Sequence, residues 1–196
     1  VKYIPKLISG ETYEFTFEED YTPFKDASEY STVINACGRN NNYELGMDVI
    51  KGHRAQRHVE LEALVKEHKQ YLAQSLTKIQ ENNSVEIMDN IQYFNGDDVK
   101  ASVVGTIAGM LLNNYDWQKP IVGYTHIDSD TPGYKVSLRC SRLLGYDGVH
   151  YGNLVRDISQ KCGGSGGGHS VACGAYIPED NIDQFLELLN NSVNFN

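Results

Sequence analysis

The stretch Cys162-Gly-Gly-Ser-Gly-Gly-Gly-His169-Ser-Val-Ala-Cys-Gly174-Ala175 decides how the rest of the chain is read. Between 163 and 168 only Ser165 interrupts the glycines, and His169 follows at once. Glycine has no Cβ, so backbone N–H groups there can approach a ligand closely and converge on one point. Such a loop suits an anion, most often a phosphate. His169 adds a side-chain donor that is neutral or cationic near pH 7. A flexible linker is the other reading of a glycine run. It fits less well, because the chain passes straight from His169 into an apolar segment, Val171 to Ile177.

The 196 residues can bury a substantial core and hold one or two domains. No window approaches 18 apolar residues, so no membrane-spanning helix is expected. The first ten residues, VKYIPKLISG, have no long apolar core and do not read as a signal peptide. The expected location is cytoplasmic. Cys37, Cys140, Cys162 and Cys173 form no C-x-x-C pair, which excludes the usual zinc spacing and favours buried, reduced thiols. The net charge of −9 argues against a protein that tracks a long duplex through phosphate neutralisation. Between Lys135 and Lys161, however, five basic residues face two acidic ones, a local balance of +3 just before the glycines. A local positive site on an acidic protein suits one or a few phosphates.

Residues 11–17 alternate as a strand does, and Asp26 or Ser28 can cap a helix running to about Cys37 and stopped by Gly38. The spacing of Leu61, Leu64, Val65, Tyr71, Leu72, Leu76 and Ile79 predicts the longest helix, from His58 to about Gln80. The pattern then becomes α/β. A strand is expected over 85–94 and a helix over 99–112, capped by Asp97 or Asp98. Strands are expected over 120–127 and 134–140, joined by a turn at Ser129-Asp-Thr-Pro-Gly133. A short helix over 153–161, a strand over 171–177 and an amphipathic helix opened by Pro178 complete the chain. Gly105 and Gly109, four apart, would let their helix sit close against a sheet.

On the strand Lys135-Val-Ser137-Leu-Arg139, residues 135, 137 and 139 share one face while Val136 and Leu138 point to the core. The polar face is either a solvated surface or part of a binding site, and Arg139, with its planar fork, is the better phosphate ligand of the two bases. Asn35 and Arg39 also project together if helical. Arg39 equally suits a helix end where it caps carbonyls. The six histidines form no Asp-His-His run or H-E-x-x-H, and there is no Walker loop, nucleophile elbow or two-metal acidic cluster. The chain therefore reads as able to hold a phosphate but not to cleave one unaided.

GGSGGGHSVACGA resembles the glycine-rich motif of the DHH-associated domain, the C-terminal half of DHH-family phosphoesterases. KVSLRCSR is similar to the family's K-V-S-x-R segment, and EIMDNIQYFNGDDVKASVVGTIAGMLL resembles the opening of this domain in archaeal RecJ-like proteins. INACGRNNNYELGMDVI resembles the N-A-x-G-R stretch that closes the RecJ catalytic part. The glycine motif alone also suits oligoribonucleases, cyclic-dinucleotide phosphodiesterases and the C-terminal domain of alanyl-tRNA synthetase.

The resemblance implies a C-terminal fragment of an α/β protein. Residues 1–57 would be the tail of the DHH catalytic part, 58–82 a connecting helix, and 83–196 the substrate-binding domain, a mixed sheet with flanking helices. It implies Arg139 and His169 as phosphate ligands, Gly166, Gly167 and Gly168 as a backbone cradle, and Asn35 and Arg39 at the cleft edge, with Ser137 on the strand face as a further substrate-binding residue. Ser165 among the glycines, and Leu138 and Cys140 around the arginine, depart from the family pattern without removing a phosphate-binding group. The implied partner is single-stranded DNA or RNA, with the GINS replication complex as a protein partner and no membrane. No cofactor is implied within the fragment. A divalent metal, manganese or magnesium, is implied in the absent N-terminal half, where the parent protein would hydrolyse phosphodiesters. A non-catalytic replisome scaffold is the reading from a different class.

Overall fold

The computed structural model describes residues 9–127, 131–146 and 148–193. The chain divides into two units, Val1–Tyr71 and Leu72–Asn196.

In the first unit, the Asp26 carboxylate accepts from the N–H groups of Ser28 and Glu29 at 2.8 and 2.9 Å and so opens helix α1, Ala27–Arg39. Gly38 lies inside α1 rather than stopping it. The stop is Asn41, which takes the left-handed φ of +58°. Asn42 N then donates to Cys37 O and Asn41 N to Gly38 O, which closes the helix through backbone groups. Asn42 caps α2, Tyr43–Ile50. The long helix α3, Arg54–Glu81, begins four residues earlier than its apolar spacing predicts. Phe24, Val33, Cys37, Leu45, Val49 and Leu61 form the buried core of this unit. The segment 11–17 is not a strand. It makes a single bridge, Glu14 to Asp26, and Phe15 turns its ring edge-on to Tyr30 at 5.5 Å. Alternation of residue types does not make a strand where no neighbouring strand offers a ladder.

The second unit is built on a six-stranded mixed sheet in the order β1-β2-β3-β4-β6-β5. The expected strand over 85–94 is a hairpin, β1 Val85–Ile87 and β2 Gln92–Asn95, because Asp89 and Asn90 sit in a turn closed by Met88 N to Ile91 O. Helix α4, Val104–Leu111, starts five residues later than expected and has no side-chain cap. Both candidate capping carboxylates are engaged elsewhere. Asp98 pairs with Lys78 at 2.6 Å, and Asp97 accepts from His126 N and from the His126 ring.

From α4 the chain enters β3, Ile121–Ile127, parallel to β2, and returns along β4, Gly133–Arg139, in unbroken antiparallel register. The turn expected at 129–133 falls partly on 128–130, which lie outside the described residues. A short helix α5, Arg142–Tyr146, precedes α6, Tyr151–Lys161. The glycine run is not a loop. Ser165–Gly168 forms β5, an edge strand antiparallel to β6, Ala172–Pro178. Its conformation still depends on glycine, since Gly167 and Gly168 have φ of +149° and +138°. A 3-10 turn, Glu179–Asn181, leads into α7, Ile182–Ser192. The expected α/β architecture, a mixed sheet with flanking helices, is what the structure shows. Among the described residues no helix is long and apolar enough to cross a membrane.

The alternation of β4 separates two faces. Val136 and Leu138 are buried with Val155, Ile158, Phe185 and Leu189 in the main core beneath α6 and α7. All four cysteines are buried free thiols. The Tyr151 hydroxyl is fully buried in this core and has no hydrogen-bond partner among the described residues. Burial pushes its phenol pKa up, so the group stays neutral. Tyr151→Phe removes an unsatisfied polar atom without opening a cavity. It is expected to raise stability by about 1 kcal/mol, measured as a higher urea midpoint at unchanged m.

At the far end of β3, the His126 ring lies between Asp97 at 2.9 Å and Glu179 at 3.3 Å, 4.1 Å from the Tyr134 ring. The hydrogen bond to Asp97, helped by Glu179, raises the His126 pKa. The stabilisation it contributes is complete below the ordinary histidine value of about 6.5 and is lost as pH rises through the raised folded value. Wild type should therefore lose melting temperature relative to His126→Gln between mildly acidic and mildly alkaline buffer. Parallel melting curves at both pH values would contradict this.

Candidate anion-binding site

The polar face of β4 opens onto a depression of about 690 Å³. Ser137 and Arg139 line it from β4, together with Lys135. Gly166, Gly167 and Gly168 line it from β5 with Ser165, and β6 contributes Gly174 and Tyr176 among others. This volume falls in the usual range for small-molecule sites. Its described lining residues include two cations and no carboxylate, on a chain of net charge −9. The β-register explains the assembly. Lys135 lies opposite Tyr176, and Tyr176 opposite Ser165, while Ser137 lies opposite Gly174, and Gly174 opposite Gly167. A row of side chains thus runs beside a nearly bare row.

Arg139 is the most constrained of the charged groups. Its Nη1 donates to Leu138 O at 2.8 Å and to Cys173 O at 3.4 Å, which fixes the guanidinium against the sheet. Helix α4 packs across β3 and β4 on the same face. It approaches so closely that a Cβ on Gly105 would stand 2.5 Å from Arg139 Nη2 and 3.2 Å from Ser137 Oγ. The small residues of α4 therefore do more than bring helix and sheet together: Gly105 leaves the space that the guanidinium occupies. The Cys173 thiol stays neutral, pushed up to about 12 by burial against the opposing influence of Arg139.

The sequence-derived candidates divide into three groups. Ser137, Arg139, Gly166, Gly167 and Gly168 come together around the depression. His169 lies just past β5 and is exposed. Its backbone N–H donates to Ala172 O at 2.9 Å and closes the β5–β6 turn, and its side chain is not part of the lining. Asn35, exposed, and Arg39, half-buried, lie on α1 in the first unit, whereas the depression is lined wholly from the second. Tyr176 escaped the sequence reading, which took Ser165 only as an interruption of the glycines and Gly105 only as a close-packing residue. Strand alternation could have placed Tyr176 on the face of Gly174, but its pairing with Lys135 needs the register. Among the described residues no group of three or more His, Cys, Asp or Glu side chains is placed to hold a metal ion.

Residues 68–194 match the model of the DHHA1 domain. An uncharacterized protein of Methanocaldococcus jannaschii is 31% identical over 172 residues, covering 86% of this chain and 35% of that protein. The chain thus spans about a third of the length of the curated relative it matches. RecJ of Thermus thermophilus, solved in complex with Mn2+, superposes with a TM-score of 0.64 at 15% identity, over 84% of this chain and 24% of RecJ. CDC45 from Entamoeba histolytica gives a TM-score of 0.58 at 12% identity, over 92% of this chain and 39% of its own. At such identities the likeness is one of fold.

Gly105→Ala tests the packing of Arg139 directly. In a helix the change favours folding by up to about 1 kcal/mol, but the new Cβ meets a guanidinium held by two carbonyls, which must give up those bonds to move. Stability should hold or fall slightly while the guanidinium is displaced. Affinity for inorganic phosphate, measured by calorimetry, should fall several-fold. An unchanged affinity would mean that Arg139 is not held in its binding position by the space at Gly105.

Proposed function

The chain belongs to the DHHA1 domain family, and from that premise we propose that its depression grips a backbone phosphate of single-stranded DNA or RNA. The observation that carries this reading is the placing of Arg139 and Lys135 around glycine backbone with no carboxylate among the described lining residues. Arg139 offers a planar fork that matches phosphate oxygens, and Lys135 adds a point charge. The glycines of β5 let a ligand approach the backbone without side chains in the way. Exposed His169, beyond Gly168, adds a contact where the ligand leaves the depression. Asn35 and Arg39 contribute substrate contacts from the first unit.

In this reading residues 1–57 are the tail of a catalytic part, 58–82 the connecting helix and 83–196 the substrate-holding domain of a RecJ-like phosphodiesterase acting as a single-strand exonuclease. The family match begins at residue 68, within α3, and so takes in the second half of that helix together with the domain. Hydrolysis would depend on manganese or magnesium held by another part of a longer protein, which would supply activation of water and stabilisation of the leaving oxygen. RecJ of T. thermophilus, solved with Mn2+, supports that assignment by its fold. The residues here would hold and neutralise the phosphate. The GINS replication complex is the proposed protein partner of the longer protein.

Fluorescence anisotropy with a short 5′-phosphorylated single strand tests the reading. Wild type should bind, more weakly as salt rises. Arg139→Ala should weaken binding about tenfold or more, as expected for a lost charge-assisted hydrogen bond, and His169→Ala by less. Binding indifferent to salt and to both substitutions would point instead to a protein-binding module.

A further inference from the structure

We propose that Tyr176 is a stacking platform for a nucleobase further along the strand whose phosphate Arg139 holds. The inference rests on the phosphate reading of the depression and adds a base subsite to it.

Three observations carry it. First, β6 places Tyr176 opposite Lys135 and Ser165, on the same face of the sheet as Arg139. Tyr176 and Arg139 stand at opposite ends of the depression. The ring lies over Gly133, six positions from Arg139 along β4, about 20 Å of strand, so more than one nucleotide step lies between them. Second, the row between them carries little side chain, with Gly174 beside Ser137. A ligand can therefore cross from one end to the other over open floor. Third, the ring is held before any ligand arrives. Its hydroxyl donates to Pro132 O at 3.1 Å, and the ring rests on Gly133, where a Cβ would stand 2.6 Å from Cε2. Gly133 is thus the seat of the ring, and the half-buried tyrosine also borders the depression.

A ring fixed in this way loses little rotamer freedom when a base stacks on it. Stacking on aromatic side chains accepts every base, because each has a π-face, and it contributes substantially to single-strand binding. Lys135 beside the ring would add attraction for the neighbouring backbone phosphate. The ligand class is accordingly a single strand of several nucleotides, gripped at a phosphate and at a base further along, rather than a bare phosphate.

The test compares two 5′-phosphorylated short strands with the full 196-residue chain. One carries 2-aminopurine at the third nucleotide, and the other an abasic residue at that position. In wild type the 2-aminopurine fluorescence should be quenched on binding. Tyr176→Ala should abolish the quenching and weaken the base-bearing strand about tenfold, while the abasic strand binds as it does to wild type. Tyr176→Phe should keep both quenching and affinity. Tyr176→Leu retains apolar bulk at Gly133 and should behave as Tyr176→Ala, which guards against a folding defect in the smaller variant.

Equal weakening of both strands by Tyr176→Ala and Tyr176→Leu, or no weakening of either, overturns the base subsite. If Arg139→Ala still lowers affinity in that case, the phosphate reading stands and only this inference falls. If wild type binds neither strand, the phosphate reading fails first.

Discussion

Everything in the second unit depends on the register of β4 between β3 and β6. Seven residue pairs on each side hold the strand without a bulge. Alternation then fixes which side chains meet which environment. Val136 and Leu138 enter the main core, and Lys135, Ser137 and Arg139 cannot follow them. A slip of one residue would bury two cations and expose the core residues, an exchange no small domain tolerates. The charges are therefore held on the open face by the hydrophobic effect acting on their neighbours. This polar face is a by-product of the core, which makes its geometry rigid.

Two close approaches finish the site. Helix α4 covers part of the polar face, yet Gly105 leaves room for the Arg139 guanidinium under it. On the other side β5 ends the sheet with a strand almost free of side chains. An edge strand presents unpaired backbone groups along its outer side, and at Gly167 and Gly168 the backbone adopts torsions that side chains disfavour. Arginine supplies charge from the middle of the sheet, and glycine supplies access from its edge. Burial of the Cys173 thiol keeps a competing negative charge from forming beside the arginine.

Much of this was legible in the residues alone. The 3.6-residue spacing located α3, and strand alternation separated Lys135, Ser137 and Arg139 from Val136 and Leu138. The glycine motif, with the K-V-S-x-R segment, pointed to the family that the comparison then established. Other features could not be read locally. Asp97 and Asp98 look like helix caps, but His126 and Lys78, distant in sequence, claim both. The glycines read as a loop because their propensity opposes a strand, and only pairing with β6 makes one. Gly38 reads as a helix stop, although Asn41 three residues on performs that role. Tyr176 was missed because its partners, Lys135 and Ser165, are brought to it by register. The glycine motif does not reveal that the His169 backbone N–H closes the β5–β6 turn.

The central claim is that the open face of β4 and the glycines of β5 form one anion site. A 1H–15N correlation titration of the chain with inorganic phosphate tests it residue by residue. The account predicts amide shifts concentrated at 135–139, 165–168 and 172–176, absent from the same titration of Arg139→Ala. Shifts centred elsewhere, or identical shifts in the variant, would contradict it.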